Sequence, residues 1–300
     1  MHSVASENCE SFESFERKGW QDVARSYHAY YMDLTCQSLP ALLSALDVRA
    51  GTELLDVACG PGYLSATAAR LGAHVIGIDF APGMVELAKE LHPAVQFEVG
   101  DASVLAFPDE SFDDVGCNFG WHHLLLPEQA LAEALRVLKP GGRIALTVWS
   151  RPEKAIAIGM VLAAIREHGN LDVDLPEAPP FFRFSDHDEF ARALRKAGFA
   201  APYVIEIDQT WHLRAPETPF HALLHGGVRL AAILRRQRPE VLTRIEQSVA
   251  ERAAPYLSDG VFNVPAPAVL AFARKPASAR ASQQMSECSS EISEVRVSVE

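Results

Sequence analysis

Short apolar runs alternate with helical patterns through the middle of the chain. The run 53–57 is typical of a buried strand, and Leu64, Ala68 and Leu71 then follow at spacings of four and three residues, as on one helix face. Further strands are predicted in the same way over 74–78, 95–99, 114–118 and 144–149. Strands that alternate with helices across short turns build parallel βαβ units with right-handed crossovers. The pattern therefore predicts an α/β fold with a Rossmann-like, doubly wound sheet.

After the fifth strand the pattern predicts helical insertions. The expected elements are helices over 155–168, 186–197 and 217–257, and strands over 203–207 and 268–274. The two strands bring the mostly parallel sheet to seven. Helical insertions late in a doubly wound domain indicate a lid over the ligand edge, formed by about 150–180 and 217–257. Trp211, Phe220 and Leu223 near one end of this lid favour an apolar substrate pocket.

The two ends of the chain differ in composition from its middle. The stretch from Ser278 is rich in Ser and Glu and has no aromatic residue, so it cannot bury enough apolar surface to offset the entropy of ordering. We expect a flexible N-terminal tail over 1–19, one domain over 20–275 and a disordered C-terminal tail over 276–300.

Charge and cysteine usage narrow the class of protein. The net charge is -12, from 27 basic and 39 acidic residues, which argues against nucleic acid and anionic membranes as partners. The five cysteines are scattered without a Cys-x-x-Cys pair, so we expect reduced thiols, no metal site and a cytoplasmic location. The start lacks a signal-peptide pattern, and no apolar run reaches the ~18–20 residues that span a bilayer.

Small and acidic residues stand where consecutive strands end. Gly60 and Gly62 follow the first strand, Asp79 closes the second strand, and Asp101 closes the third. Ligands of open parallel sheets lie beyond the carboxyl ends of the strands. A carboxylate there can accept hydrogen bonds from both ribose hydroxyls, and another can accept one from an exocyclic adenine amine. The three positions together predict a nucleoside pocket.

Ser65 and Asp56 distinguish between the classes of nucleotide that such a pocket binds. A dinucleotide enzyme has a third glycine three positions after the second, where this chain has Ser65. Asp56 makes the approach to the turn acidic, which opposes a pyrophosphate but suits a ligand with an ammonium and a sulfonium. The alternative for Asp56 is a capping role, in which its carboxylate accepts hydrogen bonds from backbone N–H groups of the glycine turn. S-adenosylmethionine is therefore the expected cofactor, and a nicotinamide-dependent oxidoreductase is disfavoured.

Four segments in this order resemble the motifs of class I S-adenosylmethionine-dependent methyltransferases, most closely the small-molecule group that includes the ubiquinone/menaquinone C-methyltransferases. The segments are 55–62 (LDVACGPG), 77–84 (GIDFAPGM), 100–102 (GDA) and 136–142 (RVLKPGG). The substrate-side signature of the quinone enzymes is absent, so no quinone substrate is assigned. The resemblance implies roles near the methionine part for Ala58, Gly60 and Gly62, at the ribose for Asp79, around the adenine for Phe80, Met84, Asp101 and Ala102, and beside the sulfonium for Asn118 and Phe119. It also implies an entry helix whose Tyr27 closes over the cofactor, with Tyr30 and Tyr31 as rivals.

His123 and His122 follow the fourth strand and are the candidates for a catalytic base. A histidine titrates near neutral pH and can remove a proton from a hydroxyl or an acidic carbon, although packing is the stronger explanation for these residues. His212, His221 and His225 are weaker candidates in or near the lid. The expected function is methyl transfer to a small organic substrate, a specialised metabolite, by in-line displacement. The alternative is a protein that binds S-adenosylmethionine without transferring methyl, as a scaffold, regulator or cyclase.

Overall fold

The computed structural model describes residues 11–277. Within them the helices are α1 (Phe12–Thr35), α2 (Leu39–Leu46), α3 (Tyr63–Arg70), α4 (Pro82–Leu91), α5 (Pro127–Val137), α6 (Ile156–His168), α7 (His187–Lys196), α8 (Thr218–Gly226), α9 (Arg229–Arg235) and α10 (Pro239–Ala253). The strands are β1 (Glu53–Val57), β2 (His74–Asp79), β3 (Gln96–Val99), β4 (Phe112–Asn118), β5 (Leu138–Trp149), β6 (Ala200–Ile207), β7 (Thr210–Leu213), β8 (Leu257–Ser258), β9 (Val261–Pro265) and β10 (Ala268–Arg274).

Seven strands form the main sheet in the order β3-β2-β1-β4-β5-β10-β6. The first five in this order pair in parallel, whereas β10 runs antiparallel to both β5 and β6. The chain moves outward from β1 to β3 and then returns to place β4 on the other side of β1. A topological switch point therefore lies between β1 and β4, and the predicted doubly wound, mostly parallel sheet is confirmed.

Helices cover both faces of this sheet, which explains why its strands read as continuous apolar runs. Leu54 and Leu55 are neighbours in β1 and both are fully buried, but they belong to different clusters. Leu54 packs with Leu42 of α2, while Leu55 packs with Leu131 of α5 on the opposite face. Side chains alternate across a strand, so a strand buried on both faces is mostly apolar, and a buried polar residue in it, such as Asp56, needs hydrogen-bond partners.

The predicted insertions form a separate layer of helices with their own core. Val161 of α6, Phe220 of α8 and Ile245 of α10 belong to one buried cluster. A small antiparallel sheet, β7-β9-β8, lies outside the main sheet and was not predicted. No helix in the described part is long and apolar enough to cross a membrane.

The predicted N-terminal tail is partly wrong, because α1 begins at Phe12. Ser11 caps this helix by accepting a hydrogen bond from the backbone N–H of Ser14 at 3.2 Å. Glu16 is buried and Gly19 lies against Val228, so 12–19 pack as part of the folded domain. The rest of that predicted tail, 1–10, and 278–300 of the predicted C-terminal tail lie outside the described residues.

Candidate active site

A cavity of about 390 Å³ lies at the carboxyl ends of β1 to β4, at the switch point of the sheet. Its volume falls in the range of about 300–1,000 Å³ that small-molecule sites occupy. It brings together most of the residues predicted from the sequence. Those that line it are Tyr27, Ala58, Gly60, Asp79, Phe80, Met84, Asp101, Ala102, Asn118, Phe119 and His123. Asp56, Gly62 and His122 do not line it.

Asp79 is a buried carboxylate of this cavity. Its Oδ2 accepts a hydrogen bond from the Gly60 N–H at 2.9 Å, and its Oδ1 accepts one from the Ala81 N–H at 2.9 Å. Burial raises the pKa of Asp79 to about 6, while the two backbone donors and the nearby His123 oppose that rise. A carboxylate offers about four acceptor sites, so about two remain for a ligand. No lysine or arginine within 11–277 pairs with this carboxylate, which favours a ligand with hydroxyl or cationic groups.

Asp56 has a different place from the predicted one. Its Oδ2 accepts hydrogen bonds from the backbone N–H of Ser65 at 3.0 Å and from the Ser65 hydroxyl at 2.6 Å. The carboxylate thus ties β1 to the first turn of α3, below the glycine turn. Burial raises its pKa to about 7. The predicted contact with the cofactor is therefore wrong in this structure, and the alternative of a capping role holds.

Gly62 is needed for packing rather than for lining the cavity. It has φ of +82° at the start of α3, and a Cβ there would lie 2.6 Å from Cζ of Phe97. Gly60 has φ of +52°, lines the cavity, and would meet no protein atom within 4 Å if it carried a Cβ. Only Gly60 of the two predicted glycines is therefore placed to face a ligand.

Two non-glycine residues with positive φ face the cavity from the ends of β1 and β4. Ala58 has φ of +51° and Phe119 has φ of +58°. L-residues are rarely held in this conformation, which is concentrated at functional sites. Phe119 is fixed by the Trp149 ring, whose centroid lies 4.1 Å away, and by the Thr147 hydroxyl, which accepts its N–H at 3.0 Å.

Asn118 joins β4 to the end of α1. Its Oδ1 accepts hydrogen bonds from the hydroxyls of Ser38 at 2.6 Å and Thr147 at 2.7 Å, and its Nδ2 donates to the Thr35 carbonyl at 3.0 Å. The side chain lines the cavity, yet these contacts engage both of its polar atoms. Asn118 therefore shapes the wall chiefly by holding α1 in place.

Asp101 and Tyr27 stand at other sides of the cavity. Asp101 is exposed, and its Oδ1 accepts hydrogen bonds from the Ser103 N–H at 2.7 Å and hydroxyl at 2.8 Å. Tyr27 stacks on Tyr31 at 5.1 Å between ring centroids, and Tyr31 continues the stack to Trp211 at 5.2 Å. Of the three candidate tyrosines, only Tyr27 reaches the cavity wall.

The two adjacent histidines have different surroundings. His123 lines the cavity, and its Nδ1 lies 3.4 Å from Oε2 of Glu16. His122 is buried against Phe181, and neither of its ring nitrogens finds a hydrogen-bond partner within 11–277. Burial lowers the pKa of His122 well below the ordinary value, so the ring stays neutral. His122 is thus a packing residue, and its prediction as a catalytic base is wrong.

The sequence interpretation placed an entry helix with Tyr27 at the cofactor but missed the rest of the wall that α1 provides. Phe12, Glu13, Glu16, Arg17 and Trp20 all line the cavity, together with 124–126 beyond β4. None of the lining residues belongs to 150–180 or 217–257, so the predicted lid does not meet this cavity. The reason is that α8 packs against α1, and α1 stands between it and the cavity. The spacing of Phe12, Glu16 and Trp20 on one helix face was the available signal.

The predicted lid residues have other partners. His212 contacts Asn263 at 2.7 Å, and His221 lies 3.0 Å from Glu246. Trp211 is buried against the tyrosine stack, away from the cavity lining.

Comparison with known proteins agrees with this geometry. Residues 55–146 match a family model described as a methyltransferase domain. The demethylmenaquinone methyltransferase of Paenarthrobacter aurescens is 33% identical over 167 residues, which cover 53% of this chain and 66% of that protein. The demethylmenaquinone methyltransferase of Streptomyces griseus is 33% identical over 169 residues, which cover 53% of this chain and 74% of that protein. The aligned part thus spans about two thirds to three quarters of these relatives.

A solved structure shows the same fold. Phosphoethanolamine N-methyltransferase 2 of Haemonchus contortus, in complex with S-adenosyl-L-methionine, matches with a TM-score of 0.54 and 18% identity, over 90% of this chain and 61% of that chain. Fold, cavity and relatives together define the class. The chain belongs to the class I S-adenosylmethionine-dependent methyltransferases, and S-adenosylmethionine is its cofactor.

The residues present fit this cofactor. Glu13, Glu16, Asp79 and Asp101 line the cavity against a single arginine, Arg17, so its charged side chains are mostly acidic. A ligand with a sulfonium and an ammonium is attracted by such a lining, whereas a pyrophosphate is repelled.

Proposed function

We propose that the protein transfers a methyl group from S-adenosylmethionine to a small organic substrate, a specialised metabolite, by in-line displacement. The observation that carries this proposal is the buried Asp79 carboxylate at the switch point, with about two acceptor sites free toward an acidic cavity. The bound cofactor supplies an activated methyl on a sulfonium. The protein then contributes alignment of the substrate and exclusion of water, which can be worth about 7–11 kcal/mol.

We assign the cofactor-facing roles as follows. Asp79 accepts the ribose hydroxyls, Asp101 and Ala102 meet the adenine edge, and Phe80 and Met84 flank the adenine ring. Ala58 and Gly60 border the methionine part, and Phe119 and Tyr27 border the reacting end. Their positions around one cavity support this assignment.

The substrate side is proposed to be the wall from α1 and the loop beyond β4. Beside its charged residues, this wall has apolar side chains that suit an apolar substrate, namely Phe12, Trp20, Leu124, Leu125 and Leu126. The relatives' names make demethylmenaquinone the first compound to test, beside other apolar aromatic compounds. We propose a cytoplasmic setting for the reaction, which the unpaired Cys36, Cys59 and Cys117 support.

The test is a binding measurement followed by a transfer measurement. Titration calorimetry with S-adenosylhomocysteine should show binding by the purified protein, weakened in Asp79→Asn. Mass spectrometry of a small-molecule panel incubated with S-adenosylmethionine should show a product heavier by one methylene unit. Absence of binding would refute the assignment of the cavity. Binding, with conversion of a compound but no gain in mass, would favour the alternative of a protein that uses the cofactor without methyl transfer.

A further inference from the structure

Glu16 is a buried carboxylate that cofactor binding does not explain. It lies on α1, is 2% exposed, and lines the cavity. Its Oε2 accepts a hydrogen bond from Nε1 of Trp20 at 2.9 Å and lies 3.4 Å from Nδ1 of His123. The Trp20 ring meets the His123 ring edge-on, with 4.7 Å between the centroids. Glu16, Trp20 and His123 therefore form one cluster on the cavity wall.

The charge of Glu16 has one available partner. Within 11–277 no lysine or arginine lies within ion-pair distance of it, and His123 is the group that can become cationic beside it. The other charged or titratable groups near the pair are Glu13 and Arg17 on α1, His122 next to His123, and Asp79 across the cavity. A buried carboxylate is costly unless it is paired and hydrogen-bonded. Glu16 therefore favours the positive charge that His123 gains when its ring takes up a second proton during the reaction.

This inference rests on the proposed methyl transfer. We propose that Glu16 is a positioning residue that holds the Nδ1–H of His123, so that Nε2 is free to take the proton of the substrate nucleophile. The substrate then belongs to the compounds whose nucleophile must lose a proton, namely phenols, enols and acidic carbons. A separation of 3.4 Å is long for a hydrogen bond, but such contacts often tighten only when substrate is bound.

The reaction balances with these groups alone. The substrate O–H or C–H bond breaks and its proton goes to Nε2 of His123. The electron pair left on oxygen or carbon forms the new bond to the methyl carbon. The carbon–sulfur bond breaks, and sulfur keeps its electron pair as the positive charge of the sulfonium is lost. The positive charge passes to the imidazolium of His123, next to Glu16.

An amine substrate fits the cluster less well. A neutral amine is already a nucleophile and loses its proton after transfer, so it does not require a base. Direct binding of an ammonium by Glu16 is disfavoured at Oε2, which accepts the Trp20 N–H and faces His123.

The position of the His123 proton tests the proposal without any turnover. Nitrogen-15 chemical shifts of the histidine rings, recorded with S-adenosylhomocysteine present, report which nitrogen is protonated. A neutral imidazole in water favours the Nε2–H form, so we expect the Nδ1–H form in the wild type and a return to Nε2–H in Glu16→Leu. Asp22→Asn, an exposed charge change on the same helix, should leave the Nδ1–H form unchanged. An Nε2–H form of His123 in the wild type would overturn the proposal.

Turnover with a matched pair of probes tests the substrate class. We expect transfer to 2-naphthol and little transfer to 2-naphthylamine. In Glu16→Gln, kcat should fall about 10- to 100-fold, which does not exceed the rate enhancement that a general base provides. Glu16→Gln keeps an acceptor for Nδ1–H, so the KM for S-adenosylmethionine should stay within about twofold. Preference for the amine would overturn the proposal. If the wild type fails to bind S-adenosylhomocysteine, the proposed function fails first; if binding is normal and the proton is on Nε2, only this inference fails.

Discussion

The affinity for S-adenosylhomocysteine should fall as the pH falls through 6, because Asp79 loses its charge. Burial raises the pKa of this carboxyl to about 6, above its ordinary value. The ionised form accepts the ribose hydroxyls best, so binding favours the deprotonated protein. At pH 5 only about a tenth of the molecules carry an ionised Asp79, and the apparent Kd should rise about tenfold from pH 7 to pH 5.

Asp79→Asn should remove this dependence and weaken binding at neutral pH. An asparagine has one oxygen, so it can accept from the Gly60 N–H or the Ala81 N–H but must turn its own amide N–H toward the other donor. Hydrogen bonds to a charged group are worth about 1.5–3 kcal/mol, so loss of one corresponds to about 10- to 100-fold weaker binding.

Titration calorimetry between pH 5 and 8 measures both effects. Asp101→Asn is the matched control: it removes an exposed carboxylate from the same cavity and should weaken binding while keeping the slope below pH 7. A wild-type Kd that is constant from pH 7.5 to pH 5 would refute the reasoning about Asp79. So would an Asp79→Asn protein that retains the wild-type slope.

Two further predictions concern stability. Burial raises the pKa of Asp56 and of Asp114 to about 7, so the folded state holds these protons where the unfolded state has lost them. The free energy of unfolding without ligand should therefore fall as pH rises from 5 to 8, by at most about 1.4 kcal/mol per pH unit for each group. Urea denaturation at several pH values checks this, and a rising stability would contradict it. Gly62→Ala should destabilise by about 2–4 kcal/mol, because positive φ is strained for alanine and the new Cβ meets the ring of Phe97. Gly141 also has φ of +82° but has open space around it, so Gly141→Ala should lose only about half as much stability in the same denaturation assay. Equal losses of stability would exclude a contribution from the contact with Phe97.

The main sheet and the cofactor edge were predictable because their signals are local. The strand 53–57 places Leu54 and Leu55 on opposite faces, and Asp79 ends an apolar strand where a carboxylate needs a partner. The small sheet β7-β9-β8 was not predictable in this way. Its strands are short, and β7 and β9 pair across a long stretch that contains three helices.

Prediction of the site from the sequence was also limited where neighbouring residues have the same chemistry. His122 and His123 are adjacent on a tight turn and both contact Phe181, and only tertiary packing places His123, but not His122, at the cavity. The sequence did not identify Glu16 as a site residue, because it lies in an acidic N-terminal stretch that is typical of a solvated tail. Its burial depends on His123, more than a hundred residues away, which no local pattern records.

The strand β10 has a consequence for biosynthesis. It pairs with β5 on one side and β6 on the other, and β6 has no other neighbour in the sheet. With translation at about 5–20 residues per second, the stretch from Ile207 to Ala268 takes roughly 3–12 s. During that interval the nascent chain carries an uncovered edge on β5 and an unpaired β6, both open to pairing with other chains. Ribosome-bound intermediates of this length are therefore more exposed to aggregation than the completed sheet.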